Sequence, residues 1–383
     1  MPAKRYLFTP GPTPVPPQVL AAGAEPVLHH RGPDFKALLA RTLDGLKQVC
    51  RTENEVLLFT ASGTGAFESA AVNLLSPGER VLAVSQGEFG ERWQKLAAAY
   101  GADVIPLSYG WGETPRPEDL AAALAETPAE TVFLVHSETS TGVVSDVQAL
   151  AGVAKEAGAL VVVDAVSSLG AVPLETDAWG IDVVVSGSQK ELMSPPGLSF
   201  ATVSAAAWAR CERVTTPRFY FDWRRSRTAL EVGSTPFTPA VATVAALDAA
   251  VRLLLDEGLE HAFARHAALG RACREGAKAM GLELFSPDEE RSAVVTAILT
   301  PEDANAKELV LALRDRYGIT VAGGHGDMAT RLFRIGHIGW FDVFDITTAL
   351  AAVELVLADM GAQIERGVAV TRALEAYAHA VAA

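Results

Sequence analysis

The stretch V-V-V-D-A-V-S-S-L-G at positions 161–170 decides the fold, together with V-V-S-G-S-Q-K-E at positions 184–191. Each begins with a short apolar, β-branched run, which is typical of a strand buried on both faces of a parallel sheet. Asp164 ends the first run, and Lys190 follows the second, 190 − 164 = 26 residues later. Because ligands of such sheets bind beyond the carboxyl ends of the strands, we expect both side chains to face one ligand.

These two side chains have the chemistry needed to hold pyridoxal phosphate (PLP). A lysine can hold the cofactor aldehyde as a Schiff base. A carboxylate beside the pyridine nitrogen keeps that nitrogen protonated, so that the ring stays an electron sink. Taken singly, Asp164 could be a helix cap and Lys190 a solvated surface residue, since lysines are mostly exposed. Their occurrence together, one short strand apart, favours the cofactor site.

Short apolar runs alternate with helical patterns along the first half of the chain. The predicted strands are Glu55–Thr60, Arg80–Ser85, Thr131–His136, Ala159–Asp164 and Asp182–Ser186, and the predicted helices are Thr64–Leu75, Gly90–Tyr100 and Val147–Ala157. This alternation predicts an α/β fold with a doubly wound, mainly parallel sheet and helices on both sides. After about residue 255 the pattern changes to long alanine- and leucine-rich helices with few strands, such as Ala293–Leu299.

The change of pattern predicts three parts of the chain. Residues 1–20 are predicted to be an N-terminal arm, 21–255 a large cofactor-binding domain, and 256–383 a small α+β domain. A chain of 383 residues is too long for one simple core, which agrees with this division.

Composition narrows the function further. Hydrophobic residues make up 49% of the chain and charged residues 20%, as in globular enzymes. The net charge of −14 argues against nucleic acid or an anionic membrane as a partner. Asp248 and Arg252 interrupt the most apolar candidate for a membrane span, and the N-terminus lacks the apolar stretch of a signal peptide, so we expect a cytoplasmic protein. The three cysteines are scattered, so no metal site is expected.

A turn between a predicted strand and a predicted helix is the candidate phosphate site. Ser62, Gly63 and Thr64 stand at this turn. Backbone N–H groups at a helix N-terminus, with the helix dipole, favour an anion there. The same residues also make an ordinary helix cap. The main support for a phosphate site is therefore their position upstream of Asp164 and Lys190.

Six motifs resemble those of a known family when they are read together and in order. They are F-T-P-G-P-T-P-V-P (8–16), A-S-G-T-G-A-F-E-S-A (61–70), H-S-E-T-S-T-G-V (136–143), V-V-V-D-A-V-S-S-L-G (161–170), S-G-S-Q-K (186–190) and F-R-I-G-H-I-G-W (333–340). Over nearly the whole length, the chain resembles the class V aminotransferases of fold type I. The resemblance is greatest to the alanine–glyoxylate and serine–glyoxylate or serine–pyruvate branch.

The resemblance implies a role for each residue of the cofactor site. It implies that Lys190 binds the PLP aldehyde, that Gln189 lies beside the phosphate and that Asp164 binds the pyridine nitrogen. Thr139 would bond to the ring hydroxyl, and Phe89, in Q-G-E-F-G-E-R, would stack on the ring. An aromatic platform on one face leaves the other face free for proton transfer, although Phe89 could also be a plain core residue.

The resemblance also implies a substrate site and a second subunit. Arg334 would bind the substrate α-carboxylate, which suits a bidentate guanidinium, and the Gly11-Pro12 turn would bring backbone close to the substrate. Thr235 and Thr238, in T-P-F-T-P, would reach the phosphate site of a neighbouring subunit, so a homodimer with shared active sites is implied. The chain departs here from members that carry a tyrosine at the position of Thr235, which leaves the role of this residue open.

The activity that follows is transamination between alanine or serine and glyoxylate or pyruvate. Three alternatives remain: a phosphonate or phosphoserine aminotransferase, a cysteine desulfurase, and a non-catalytic subunit that binds PLP. The first needs extra cationic groups, and the second needs a reactive cysteine on a mobile loop, whereas Cys273 stands in a helical pattern. Retention of Lys190, Asp164 and Arg334 argues against lost catalysis.

Overall fold

The computed structural model describes residues 4–286 and 293–382. The strands are β1 Tyr6–Leu7, β2 Glu55–Phe59, β3 Arg80–Ser85, β4 Asp103–Ser108, β5 Thr131–Val135, β6 Ser137–Glu138, β7 Val143–Val144, β8 Leu160–Asp164, β9 Val183–Gly187, β10 Ser199–Val203, β11 Val295–Leu299, β12 Ile319–Thr320, β13 Ala322–Gly323 and β14 Leu332–Gly336. The helices are α1 Pro17–Ala24, α2 Pro33–Cys50, α3 Gly63–Leu74, α4 Glu88–Ala99, α5 Pro117–Glu126, α6 Val147–Glu156, α7 Ala205–Cys211, α8 Trp223–Glu231, α9 Val241–Glu257, α10 Leu259–Ala279, α11 Ala306–Tyr317, α12 Val343–Asp359 and α13 Val368–Ala382. A 3-10 helix spans Gly326–Thr330.

A seven-stranded sheet organises the first two thirds of the chain. Its strand order is β2-β10-β9-β8-β5-β3-β4, and every pair is parallel except those of β10, which runs antiparallel to both neighbours. The α/β fold with a mainly parallel sheet is confirmed. The five strands predicted in this sheet lie within two residues of their predicted bounds, whereas β4 and β10 were not predicted.

The reversal of β10 has a simple cause in the length of its connection. Residues 188–198 join β9 to β10 without a helix. A parallel neighbour needs a crossover of a dozen or more residues, so a connection this short returns the chain antiparallel. It is held by hydrogen bonds from Ser188 N to the Leu198 carbonyl at 3.0 Å and from Ser188 Oγ to the Pro195 carbonyl at 2.8 Å. Lys190 lies on this tightly held connection.

Both faces of the sheet are buried. In β8, Val161 and Val163 pack into one hydrophobic core, and Val162 packs into another on the opposite face. Helices α2, α6 and α9 contribute to the first core, and α3, α4 and α7 to the second. This explains why the strands read as continuous apolar runs. The predicted helices on both sides of the sheet are therefore present.

A third hydrophobic core lies among α10 to α13 and a three-stranded sheet of order β11-β14-β13. The N-terminal segment joins this core, since β1 pairs in parallel with β12 and Phe8 is buried there. The division into an arm of residues 1–20 and domains of 21–255 and 256–383 stays a prediction. Within the described ranges, no helix combines the length and the apolar character needed to cross a membrane.

Candidate active site

Asp164 and Lys190 lie at the same edge of the central sheet. Asp164 is the last residue of β8, and Lys190 comes three residues after the end of the neighbouring strand β9. Both line one cavity of about 250 Å³, which Gly11 also lines. The parallel course of β8 and β9 therefore brings together two side chains that are far apart in sequence.

Lys190 is held against the N-terminal turn. Its Nζ donates a hydrogen bond to the Pro10 carbonyl at 3.1 Å. A Cβ at position 11 would lie 2.2 Å from Lys190 Cδ, so Gly11 leaves the room that the lysine chain needs. Burial lowers the pKa of the amine to about 8, and the charge of Asp164 opposes part of this shift. A neutral, nucleophilic fraction of the amine is therefore present near neutral pH.

Asp164 is buried in the same cavity. One carboxylate oxygen accepts a hydrogen bond from the Val166 N–H at 2.8 Å. Burial raises the pKa of Asp164 to about 7, although the Val166 hydrogen bond favours the ionised form. A cationic ring nitrogen beside the carboxylate would offset this desolvation and restore the charged form. The predicted partner of Asp164, a protonated pyridine nitrogen, would thus place a positive charge next to the buried carboxylate.

One end of the cavity is suited to an anion. Ser62, Gly63 and Thr64 line it where α3 begins, and the Ser62 side chain does not cap the helix. No side chain in the described ranges caps the N–H groups of Gly63 and Thr64, whereas the Gly65 N–H donates to the Ser62 carbonyl, and the helix dipole favours negative charge at this end. A Cβ at Gly63 would lie 3.0 Å from the Val166 side chain, so glycine permits this close packing. Gln189 also lines the cavity, and its buried Oε1 has no hydrogen-bond partner among the described residues.

Phe89 and Arg92 lie three positions apart on α4 and both line the cavity. The guanidinium carbon of Arg92 lies 4.7 Å from the centroid of the Phe89 ring. Arg92 Nη1 donates to Thr64 Oγ1 at 3.1 Å, beside the anion end. Arg92 was not predicted from the sequence, although Q-G-E-F-G-E-R places it at the helical i, i+3 spacing from Phe89.

A buried carboxylate that was also not predicted fixes the start of α4. Glu138 accepts hydrogen bonds from the backbone N–H groups of Phe89 and Gly90 at 2.9 and 3.1 Å. Ser140 donates to the other carboxylate oxygen. Burial raises the pKa of Glu138, and these hydrogen bonds oppose the rise. Glu138 thereby holds in place the helical turn that carries Phe89.

Arg334, on β14, is buried and held by backbone oxygens. Its Nη1 donates to the Thr139 carbonyl at 2.6 Å, and Nε and Nη2 donate to the Gly323 carbonyl at 3.0 and 2.6 Å. Nη2 also lies 3.0 Å from His325 Nε2. Thr139 follows Glu138, whose carboxylate binds the Phe89 N–H, so these contacts connect Arg334 to the cofactor cavity. Thr139, predicted to bond to the ring hydroxyl, is buried and contacts Arg334 through its carbonyl.

A protein-family model matches most of the chain. The family model described as Aminotransferase class-V matches residues 5–336. The chain belongs to the class V aminotransferases. This class V enzyme is 42% identical to the small subunit of a soluble hydrogenase from a Synechococcus strain, over 94% of each chain. It is 36% identical to the serine–glyoxylate aminotransferase of Methylorubrum extorquens, over 97% of this chain and 96% of that one.

Solved structures agree with the family assignment. The crystal structure of an alanine–glyoxylate aminotransferase from Nostoc superposes on this aminotransferase with a TM-score of 0.90 and 33% sequence identity. The match covers 93% of this chain and 97% of that one. The class V aminotransferase is therefore a PLP-dependent enzyme, as the sequence predicted.

The cavity fits this cofactor. An amine, a carboxylate, an aromatic ring and an open helix N-terminus line the same space, and each matches one part of PLP. The cation of Arg92, which donates to Thr64, adds positive charge at the anion end, and Gln189 also lines the cavity. The roles that the sequence predicted for the individual residues remain predictions, but the aminotransferase brings eight of them to one cavity. They are Gly11, Ser62, Gly63, Thr64, Phe89, Asp164, Gln189 and Lys190.

Thr235 and Thr238 lie away from this cavity. They line a separate hollow of about 30 Å³, and Thr235 Oγ1 donates to the Phe237 carbonyl at 2.7 Å. Cys273 is also away from the cofactor cavity and is buried on α10, where burial raises the pKa of its thiol to about 11. All three cysteines of the aminotransferase are buried, so none is placed as the reactive cysteine of a desulfurase.

Proposed function

We propose that the protein transfers an amino group between a small amino acid, alanine or serine, and a small 2-oxo acid, glyoxylate or pyruvate. The observation that carries this proposal is the buried guanidinium of Arg334. It donates to the Thr139 carbonyl, next to Glu138, which binds the N–H of Phe89 at the cofactor cavity. A guanidinium there can hold an α-carboxylate while the amino group reacts. The glyoxylate named in the two aminotransferase relatives supports a small 2-oxo acid as substrate.

Arg334 has room for a carboxylate if one contact is exchanged. Four of its five N–H groups are directed at Thr139, Gly323 and His325. His325 is the one side chain in this set, and burial lowers its pKa, which favours the neutral, accepting form. A substrate carboxylate that replaces His325 on Nη2 and takes the remaining hydrogen of Nη1 gains a bidentate contact. The two backbone carbonyls hold the guanidinium in place meanwhile.

The other side chains divide the chemical work. Bound PLP supplies the aldehyde that takes up the amino group and the conjugated ring that draws electrons from the α-carbon. Lys190, once its amine is free, would move the α-proton as a general base, and its lowered pKa suits that task. Asp164 would keep the ring nitrogen protonated, and Phe89 would cover one face of the ring.

We also propose that the enzyme works as a cytoplasmic homodimer. Thr235 and Thr238 lie outside the cavity of their own chain, which supports a role at the phosphate site of a second copy. Phe219 and Tyr220 beside them are 63% and 42% exposed, as expected for residues that another subunit covers. Light scattering should give the mass of two chains. Alanine at Thr238 should weaken PLP binding although this residue is remote from its own cavity.

A half-reaction screen tests the proposed transamination. The protein with bound PLP is mixed with single amino acids, and the absorbance reports conversion of the cofactor to pyridoxamine phosphate. Conversion by alanine or serine, reversed by glyoxylate or pyruvate, is expected. Conversion by phosphoserine or 2-aminoethylphosphonate alone would indicate the phosphorylated-substrate alternative, and sulfide release from cysteine would indicate a desulfurase. No conversion by any amino acid would indicate the non-catalytic subunit, an alternative raised by the name of the hydrogenase relative.

A further inference from the structure

A second buried carboxylate lies directly beside the cofactor lysine in sequence. Glu191 follows Lys190, and its side chain is completely buried. A carboxylate loses much hydration energy on burial, so it is retained only where partners compensate for the loss. The partners of Glu191 come from a different part of the molecule, namely α10 and the segment that follows β14. No role for Glu191 follows from the motifs that suggested the cofactor site.

The first set of contacts runs through two histidines. Glu191 Oε1 lies 2.8 Å from His266 Nε2, and the His266 side chain is also completely buried. His266 Nδ1 lies 2.9 Å from the His337 carbonyl, which can only accept, so Nδ1 carries a hydrogen. Among the described residues neither Glu191 Oε1 nor His266 Nε2 completes a hydrogen bond, so the two atoms form a close polar contact. Through His266 this contact links Lys190's neighbour to residue 337.

The second set of contacts fixes Gly339. Its N–H donates to Glu191 Oε2, and its carbonyl accepts from Arg265 Nη1 at 3.0 Å. Arg265 is held in turn by Glu257, at 2.6 Å from Nε, and lies 3.7 Å from Glu191 Oε1. Gly339 has φ of +85°, and a Cβ there would lie 2.8 Å from Thr13 Oγ1, so this position requires glycine.

We propose that Glu191 is a positioning residue that sets the distance between Lys190 and Arg334. Glu191 moves with Lys190 because the two are adjacent. His337 and Gly339 move with Arg334 because they directly follow the strand that carries it, β14, which ends at Gly336. One carboxylate therefore ties the cofactor-binding amine to the predicted carboxylate-binding guanidinium. Arg334 can hold the substrate carboxylate only while it keeps its distance from the cofactor lysine, so a displacement between the two groups weakens substrate binding.

The experiment compares three variants. Glu191→Ala removes both contacts. Glu191→Gln keeps the size, can accept from Gly339 N–H and can donate to His266 Nε2. Glu354→Ala is the matched control, because Glu354 is a buried carboxylate on α12 that accepts from Gly367 N–H at 2.8 Å and Ala369 N–H at 2.7 Å, without contact to the site. The KM values for amino donor and 2-oxo acid are measured, together with hydrogen–deuterium exchange of the PLP-free proteins.

We expect Glu191→Ala to raise both KM values at least about tenfold, because Arg334 is displaced relative to Lys190. Exchange should increase together in residues 186–194 and 332–340. Glu191→Gln should stay within about threefold of the parent KM values. Glu354→Ala should leave both KM values unchanged and increase exchange only near residues 365–375. If Glu191→Ala does not fold, Glu191→Asp, which is too short to reach both partners, takes its place with the same expectations.

Parent KM values in the folded Glu191→Ala protein would overturn the proposal. An increase in exchange in only one of the two segments, or in neither, would overturn it as well. This inference rests on the proposed function for its KM arm only. If the parent converts no amino acid, the proposed function fails, and the exchange measurement still decides whether Glu191 ties the two segments together.

Discussion

At the residue scale, the chemistry of the site depends on the burial of two opposite charges. Burial raises the pKa of Asp164 to about 7 and lowers that of Lys190 to about 8, so both pKa values lie near neutral pH. Such convergence is typical of groups that exchange protons at working pH. A cationic ring nitrogen would lower the pKa of Asp164 again. With the cofactor bound, Asp164 would therefore be the ionised partner of the ring nitrogen, and Lys190 would be the proton-transferring amine.

Replacing Asp164 by asparagine tests its electrostatic role. The variant keeps the shape and loses the charge that stabilises a protonated ring nitrogen. We expect the single-turnover rate of proton abstraction to fall at least about 100-fold, with only a moderate loss of bound PLP. Stopped-flow absorbance gives the rate, and the spectrum of the purified protein gives the PLP content. A rate close to that of the parent would mean that another group protonates the ring.

Replacing Arg334 by lysine tests carboxylate binding. Lysine keeps the positive charge but lacks the planar fork, and charge-assisted hydrogen bonds contribute about 1.5–3 kcal/mol. The KM values for both amino donor and 2-oxo acid should rise at least about tenfold, while the absorbance of bound PLP stays unchanged. If steady-state kinetics instead show parent KM values for alanine, serine, glyoxylate and pyruvate, the carboxylate site lies elsewhere.

The sequence identified residues whose roles depend on type and order, and it missed residues whose roles depend on contacts. Asp164 and Lys190 stand at the ends of two recognisable strands, so their meeting could be predicted from strand direction alone. Glu138 acts on the N–H groups of Phe89 and Gly90, 49 and 48 positions away. No local pattern marks such a contact, because it depends on how β6 approaches α4.

At the element scale, the direction of a strand depends on its connection rather than on its own residues. A buried strand reads as an apolar run whichever way it points, so β10 could not be assigned a direction from its composition. The short connection of residues 188–198 determines that direction. The same connection carries Lys190 and Glu191. The antiparallel strand is therefore part of what holds the lysine at the sheet edge.

The N-terminus of α3 allows an element-scale prediction. Alanine at Gly63 would place a Cβ 3.0 Å from Val166 and displace the first helical turn. We expect Gly63→Ala to weaken PLP binding at least about tenfold, because the N–H groups of that turn are the predicted phosphate donors. The control is Gly152→Ala on α6, where nothing lies within 4 Å of the new Cβ. Titration of PLP-free proteins with PLP gives both affinities, and equal affinities would contradict the phosphate assignment.

At the scale of the whole molecule, an acidic protein concentrates cations where anions are expected to bind. The net charge is −14, yet Arg92 and Lys190 line one cavity, and Arg334 is connected to it through Thr139 and Glu138. Local cations in a low-dielectric cleft can attract small anions despite an unfavourable total charge. The N-terminal strand β1 joins the C-terminal core through β12, while Gly11 reaches Lys190. The N-terminal segment thus contacts both the C-terminal core and the cofactor lysine.

Buried histidines make the stability of the fold depend on pH. Burial lowers the pKa of His136 to about 4, opposed by Asp146, so the unfolded chain binds this proton more readily than the folded one. The stability that this adds above pH about 6.5 is lost as the pH falls, by about 2 kcal/mol between pH 7 and pH 5. Asp164 acts in the opposite direction, because its raised pKa favours the folded state as the pH falls.

Comparison with His136→Asn isolates this contribution, because Asp164 is the same in both proteins. Urea unfolding of the PLP-free proteins at pH 7 and pH 5 gives the two free energies. The parent should lose about 2 kcal/mol more than the variant on acidification. Equal losses in the two proteins would mean that His136 is not held neutral in the folded state.

Borohydride reduction followed by peptide mapping shows directly whether Lys190 binds the cofactor. If Lys190 holds the cofactor aldehyde, reduction of the PLP-loaded protein fixes the cofactor covalently to that side chain. We expect one labelled peptide, with the label on Lys190, and no label in Lys190→Ala, which should keep its fold. A label on another lysine, or a purified protein that binds no PLP, would contradict the assignment of Lys190 as the cofactor lysine.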